Sequence, residues 1–130
     1  MYSCSGLNGD IKVLESLTKL TTIHVFQNIG IYGDINTLVN HTEFRDLIMS
    51  MTNVSGDINS CANLHELRRL SFSTTNVIGD ISLFANHTNF PYLYYINIPY
   101  TQVTGSVNLF ANRPNLAHLF VNNTNKPGIY

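Results

Sequence analysis

Residues 67–81 read Leu-Arg-Arg-Leu-Ser-Phe-Ser-Thr-Thr-Asn-Val-Ile-Gly-Asp-Ile, and variants of this phrase recur along the whole chain. The phrase ends with a Gly, then Asp or Ser, then a β-branched residue. This ending begins at Gly9, Gly33, Gly56, Gly79 and Gly105, and a shorter form begins at Gly128. Successive glycines are 24, 23, 23, 26 and 23 residues apart. A period of this length is typical of a solenoid, in which similar coils stack along one axis.

Apolar residues recur at fixed places in the repeat. The alternation at residues 70–72 predicts a short strand with one buried side. The Gly is predicted to form a tight turn, and the following Asp to begin a short helical segment. An Asn or Thr after the strand is predicted to hydrogen-bond the backbone of the next coil. The predicted core of the first unit consists of Ile11, Leu14, Leu17, Leu20, Ile23, Val25 and Ile31, and that of the third unit of Ile58, Cys61, Leu64, Leu67, Leu70, Phe72 and Val77.

This pattern resembles the leucine-rich repeat, in the variant with a Gly-x-Ile step after the strand. The resemblance implies an α/β repeat fold, a right-handed solenoid with short parallel strands on the concave face and short helical or 3₁₀ segments on the convex face. The Asn that usually follows the strand is kept only as Asn28 and is a Thr at positions 52, 75, 101 and 124, and the Pro that often follows the Ile is absent. The resemblance predicts a single domain over 1–130, with an incomplete unit at 1–8, repeats at 9–32, 33–55, 56–78, 79–104 and 105–127, and the start of a further unit at 128–130.

Neither end of the array has the polar capping unit that usually covers the core of a solenoid. We therefore expect either a fragment of a longer protein or ends that are covered by other chains. In the second case the chain would be a structural subunit that stacks end to end in a virion or a bacterial or phage cell-surface array. Self-association through the array ends is thus one alternative function.

Composition excludes several other classes of protein. The chain of 130 residues is 44% apolar and 12% charged, with a net charge of -1. A surface with so little positive charge is not expected to bind nucleic acid. No apolar run is long enough to span a membrane, and residues 1–4 do not begin a signal peptide. We expect no membrane insertion and no cofactor, and the cellular compartment stays open.

One polar column has a possible metal-binding role. Asp10, Asp34, Asp57 and Asp80 occupy the same place in successive units and should stack at intervals of about 5 Å. Carboxylates suit calcium, so the column is a weak candidate for a calcium site. The alternative is that each Asp caps its own helical segment, and Ser106 at the fifth place favours capping.

The residue pattern does not predict catalysis. The five histidines are not spaced as zinc ligands, since the equivalent His41 and His87 are separated by a coil with Leu64 at that place. No nucleophile has a base at a recognisable spacing. We therefore expect a protein that is not an enzyme.

The open side of the strands is the predicted binding surface. Several outward positions on this side carry apolar residues, although side chains that point away from the core need not be apolar. Exposed apolar groups usually mark an interaction surface. The unit with the longest period adds a group of tyrosines, which are common interface anchors, although some could simply pack an insertion against the solenoid. We expect recognition of a protein partner, with a glycan as an alternative. The predicted site residues are His24, Phe26, Ile48, Met51, Tyr94, Tyr95, Tyr100 and Phe120.

Overall fold

The computed structural model describes residues 7–121 and the backbone of residues 2–3. One parallel sheet, here called the first sheet, takes one short strand from each coil. Neighbouring strands pair in register, so that Leu47, Leu70 and Ile96 lie side by side. In sheet order its strands are β1 (Tyr2–Ser3), β3 (Thr22–Phe26), β5 (Asp46–Ile48), β7 (Arg69–Ser71), β9 (Tyr95–Asn97) and β11 (His118–Phe120).

A second parallel sheet follows in each coil, and the sequence pattern did not predict it. Its strands are β2 (Asn8–Asp10), β4 (Asn28–Asp34), β6 (Thr52–Asp57), β8 (Asn76–Asp80) and β10 (Gln102–Thr104). A 3₁₀ helix follows each strand, at Ile11–Leu14, Ile35–Leu38, Ile58–Cys61, Ile81–Ala85 and Val107–Phe110. The predicted solenoid is confirmed, and each coil is strand, corner, strand, 3₁₀ helix and return.

The corner between the two strands is a left-handed turn. Gln27, Met51, Thr74 and Tyr100 occupy equivalent places there, with φ between 54° and 59°. The next residue of the coil is the buried Asn or Thr of the repeat. In Thr52 and Thr101 the hydroxyl donates to a carbonyl three residues earlier, at 2.8 and 2.7 Å. The prediction that these residues bond the next coil is therefore wrong, because the turn brings a carbonyl of their own coil within reach.

The glycines lie at the end of the second sheet rather than in tight turns. Gly33, Gly56 and Gly79 are strand residues with φ from 106° to 121°. The space where a Cβ would stand is taken by the Asp and Ile of the preceding coil. The prediction of a tight turn is wrong, since the glycine serves a close approach between coils.

The core fills the space between the two sheets and the 3₁₀ helices. Phe44, Leu70, Phe72 and Phe84 are fully buried. Leu17, predicted to lie in the core, is instead 49% exposed, because it lines an open apolar pocket of the first described coil together with Leu14 and Leu20. Cys61 is a buried free thiol, and burial raises its pKa to about 12. No helix within residues 7–121 has the length and apolarity to cross a bilayer.

Candidate functional site

The outer side of the first sheet, here called the first-sheet face, carries two stacked rows of side chains. The register places Asp46, Arg69, Tyr95 and His118 in one row and His24, Ile48, Ser71, Asn97 and Phe120 in the next. The predicted site residues His24, Ile48, Tyr95 and Phe120 therefore lie on one surface. Phe26 is on the same sheet, at the end of β3 and beside β1.

An ion cluster occupies one part of this face. The Arg69 guanidinium donates to both oxygens of the Asp46 carboxylate, at 2.9 and 2.8 Å. Its Nη2 also lies 3.1 Å from Nε2 of His24. The hydrogen bond from Arg69 lowers the pKa of Asp46. Burial, and then the Arg69 charge, lowers the pKa of His24. Neutral His24 thus accepts from Arg69, which holds three side chains from three coils together.

Acidification from about pH 7.5 to about pH 5 is expected to destabilise the protein through His24. Its folded-state pKa lies below the ordinary value of 6.5, so at intermediate pH the unfolded chain binds more protons than the folded chain. This stabilisation is complete above about pH 6.5 and is lost as the pH falls towards the folded-state pKa. Urea denaturation of the wild type and of His24→Gln measures the effect. The variant should lose less stability between the two pH values, and equal losses would contradict the prediction.

An aromatic cluster occupies the other part of the face. The ring centroids of Tyr95 and Phe120 are 5.9 Å apart in an edge-to-face arrangement, and His118 stacks on Phe120 at 5.9 Å. Tyr95 also contacts the His118 ring at 5.7 Å. Phe120 is 43% exposed, so the cluster offers an apolar surface to solvent. Sequence reasoning missed His118 on this surface, although its place directly before an alternating Leu-Phe-Val stretch was a usable signal.

Short polar side chains separate the two clusters. Ser71 bonds to Ser50 of the preceding coil and accepts from Asn97 Nδ2 of the following coil at 3.2 Å. The alternation at residues 70–72 places Ser71 on the open side of the predicted strand, but Ser71 is only 2% exposed, because these two neighbours cover it. The face therefore runs from charged through polar to aromatic.

Two arginines and a tyrosine line the edge where the strands of the first sheet begin. Backbone bonds link these equivalent positions, from Arg68 N–H to Arg45 C=O at 2.7 Å and from Tyr94 N–H to Arg68 C=O at 3.0 Å. All three side chains are exposed. Within the described residues, the guanidiniums of Arg45 and Arg68 form neither a hydrogen bond nor an ion pair. The sequence pattern indicated Tyr94 but not the two arginines, because it does not show that Arg45, Arg68 and Tyr94 lie side by side in neighbouring coils.

The long fourth unit packs its extra residues through apolar side chains other than tyrosine. Phe90 and Leu93 are buried, whereas Tyr92 and Tyr94 stay exposed. The buried Arg113 fastens this segment by donating from Nη2 to the Phe90 carbonyl at 2.8 Å. These two exposed tyrosines are therefore available to a partner.

Two of the predicted site residues are not on the first-sheet face. Met51 and Tyr100 lie in the left-handed corner, where they line a groove beside the second sheet. The predicted single site is thus divided between a face and a groove.

The Asp column makes capping contacts. Each of the four aspartates accepts from the backbone N–H two residues later through Oδ1, at 2.8 to 2.9 Å. Ser106 makes the same contact at 3.2 Å. In the described part of the chain, no three His, Cys, Asp or Glu side chains come together as metal ligands. The contacts agree with the capping interpretation.

Comparison with known proteins identifies the fold. One similar structure is the leucine-rich repeat (LRR) ectodomain of the plant membrane receptor kinase GASSHO1/SCHENGEN3 from Arabidopsis thaliana, solved in complex with CASPARIAN STRIP INTEGRITY FACTOR 2. The TM-score is 0.65 and the sequence identity is 22%. The match covers 78% of this chain and 12% of the ectodomain. The fold is a leucine-rich repeat solenoid. No protein-family model and no curated protein matches the sequence.

Other leucine-rich repeat structures are similar to this chain. The Arabidopsis receptor kinase HAESA, solved with the peptide hormone IDA and the co-receptor SERK1, has a TM-score of 0.78 and 21% identity over 95% of this chain and 21% of its own. Internalin C2 of Listeria monocytogenes has a TM-score of 0.59 and 20% identity over 91% of this chain and 59% of its own. The chain thus spans about a fifth of HAESA and about an eighth of the GASSHO1 ectodomain.

Proposed function

We propose that the chain is a non-catalytic recognition module that binds a peptide segment of a partner protein on the first-sheet face. The observation that carries the proposal is the exposed cluster of Tyr95, His118 and Phe120. The core does not require apolar side chains on the outer side of the sheet. Aromatic side chains bury a large area with little loss of conformational entropy, which makes them common anchors at interfaces. The complex of HAESA with a peptide hormone supports the proposal, since it shows this fold next to a peptide.

The charges along the edge favour an acidic segment in the partner. Arg45 and Arg68 have no ion pair among the described residues, and Asp46 is already engaged by Arg69. An Arg guanidinium can bind a carboxylate through two hydrogen bonds. Exposed charges at the rim of an interface mainly increase the rate at which the two partners associate. A partner segment with carboxylates beside an apolar residue would therefore match both the edge and the aromatic cluster.

Selection from a phage-displayed library of random dodecapeptides tests the proposal. We expect a selected peptide to bind the double variant Tyr95→Ser/Phe120→Ser at least about tenfold more weakly than the wild type, because two aromatic anchors are lost. Fluorescence anisotropy with the labelled peptide gives the affinities. The matched control is Tyr32→Ser, which removes an exposed tyrosine from β4 in the second sheet.

The outcomes are distinct when far-ultraviolet circular dichroism shows that both variants are folded. Loss of affinity in the double variant alone supports the first-sheet face as the binding site. Equal affinity for the wild type and the double variant, or the absence of any enriched peptide, would reject the proposal.

A further inference from the structure

A groove of about 330 Å³ lies between the left-handed corners and the start of the second sheet. The buried Thr52 and Thr75 lie at its base. Three successive coils contribute corner residues, and the starts of β4, β6 and β8 contribute the rest. The other lining residues are Ile29, Met51, Asn53, Thr74, Asn76 and Tyr100.

The side chains at the corners are not those that the backbone favours. Met51, Thr74 and Tyr100 have φ of 58°, 54° and 59°, a region in which Gly and Asn are preferred and a β-branched residue is strained. Packing in the core does not explain these residue types either, because the Met51 side chain is 40% exposed and the Tyr100 side chain 62% exposed. The same positive φ occurs at Gln27, so the turn of the coil sets the backbone, and the exposed side chains of Met51 and Tyr100 are the ones that a ligand would contact.

The chemistry of the lining is apolar and neutral. Among the described residues, no charged side chain lines the groove. Asn53 donates from Nδ2 to the Ile29 carbonyl, which leaves its Oδ1 as an acceptor at the groove. Within the described residues, the side chains of Asn76, Thr74 and Tyr100 make no hydrogen bond. The groove therefore combines the ring of Tyr100 and the aliphatic Ile29 and Met51 with exposed amide and hydroxyl groups.

These features select one class of ligand. A volume near 300 Å³ is at the lower end of ligand sites, which suits a single ring rather than a long chain. An aromatic face beside neutral amide and hydroxyl groups matches a ring with an apolar C–H side and several hydroxyls. We propose that this groove binds the neutral pyranose ring of a glycan, with Tyr100 stacked on the sugar and Asn76 bonded to its hydroxyls.

Saturation-transfer NMR on the whole chain tests this proposal. The probes are the methyl glycosides of glucose, galactose, mannose and N-acetylglucosamine, and N-acetylneuraminic acid as a charged counterpart. We expect at least one neutral glycoside to bind with a Kd of about 1 mM, typical of a small ligand with few contacts, and the acid to bind more weakly. Tyr100→Ser and Asn76→Ala should each weaken binding about tenfold, because each removes one side of the contact.

Two controls separate the groove from other sites. Tyr92→Ser removes an exposed tyrosine outside the groove and should leave sugar affinity unchanged, and Tyr100→Phe should keep most of it because the ring remains. Tyr95→Ser/Phe120→Ser alters the first-sheet face and should also bind the sugar normally, so this test is independent of the peptide proposal. No neutral glycoside bound at about 20 mM, tighter binding of the acid, or unchanged affinity in folded Tyr100→Ser would each overturn the groove assignment.

Discussion

Gly56→Ala is expected to lower the free energy of unfolding by about 2 to 4 kcal/mol, the sum of backbone strain and overpacking. Gly56 has φ of +106°, which an L side chain rarely adopts. A Cβ would also meet the Asp34 carboxylate, with its Cγ at 3.0 Å, and Cγ1 of Ile35 at 3.2 Å. Asp34 cannot rotate away without breaking its 2.8 Å bond to the Asn36 N–H. Urea denaturation followed by circular dichroism measures the loss.

Two further variants divide this loss into its causes. Gly9→Ala tests strain without a clash, because Gly9 has φ of +139° but no described atom within 4 Å of the added Cβ. Asp34→Ala/Gly56→Ala removes the carboxylate that blocks the Cβ, so it should be less destabilised than the sum of the two single variants. A loss in Gly56→Ala no larger than in Gly9→Ala would show that the Asp of one coil does not pack on the Gly of the next.

The repeat period predicted the stacking of coils and most of the core because both follow from what recurs. An apolar residue that returns every 23 residues lies beside its equivalent, as Leu47, Leu70 and Ile96 do. The second sheet was missed because its alternation is short. In β8 only Asn76, Val77 and Ile78 alternate between exposed and buried before Gly79 interrupts the pattern. The glycine that signals a turn in sequence is here a strand residue in contact with the preceding coil.

The candidate site was predicted where it depends on alternation within one strand, or, for Tyr95, on the group of tyrosines in the longest unit. His24, Ile48 and Phe120 follow that rule and share a face. Arg69 was missed because β7 begins one residue before the predicted strand, where the side chain is held by Asp46, 23 residues away. Such a contact depends on register between coils, and an Arg is usually assigned to a solvated surface. The separation of Met51 and Tyr100 from this face depends on a positive φ, which neither residue type indicates.

Phe72→Ala is expected to lower the free energy of unfolding by about 4 kcal/mol, within the range for large core truncations. Phe72 is fully buried at the centre of the array, at the place that Met49 and Ile98 occupy in the adjacent coils, and all three belong to one core cluster. The cavity cannot close easily, because backbone bonds fix the distance between coils. On one side of Phe72 the Met49 N–H donates to Ser71 C=O at 2.9 Å, and on the other the Phe72 N–H donates to Asn97 C=O at 3.0 Å. A cavity that cannot relax costs more than the loss of apolar contact alone.

Two further variants test how the loss in free energy of unfolding depends on the size of the substitution and on the position of the coil in the array. Phe72→Leu keeps most of the volume and should cost about 1 kcal/mol. Val25→Ala truncates the equivalent residue of the first coil, which is only partly buried, and should also cost about 1 kcal/mol. In a solenoid each coil contacts only its neighbours, so a defect in a central coil weakens two interfaces at once. Hydrogen exchange of Phe72→Ala should therefore show faster exchange in β5, β7 and β9 together, while Val25→Ala should affect β3 and its neighbours β1 and β5. Uniform acceleration in both variants, or a cost below about 1.5 kcal/mol for Phe72→Ala, would mean that the coils relax around the cavity.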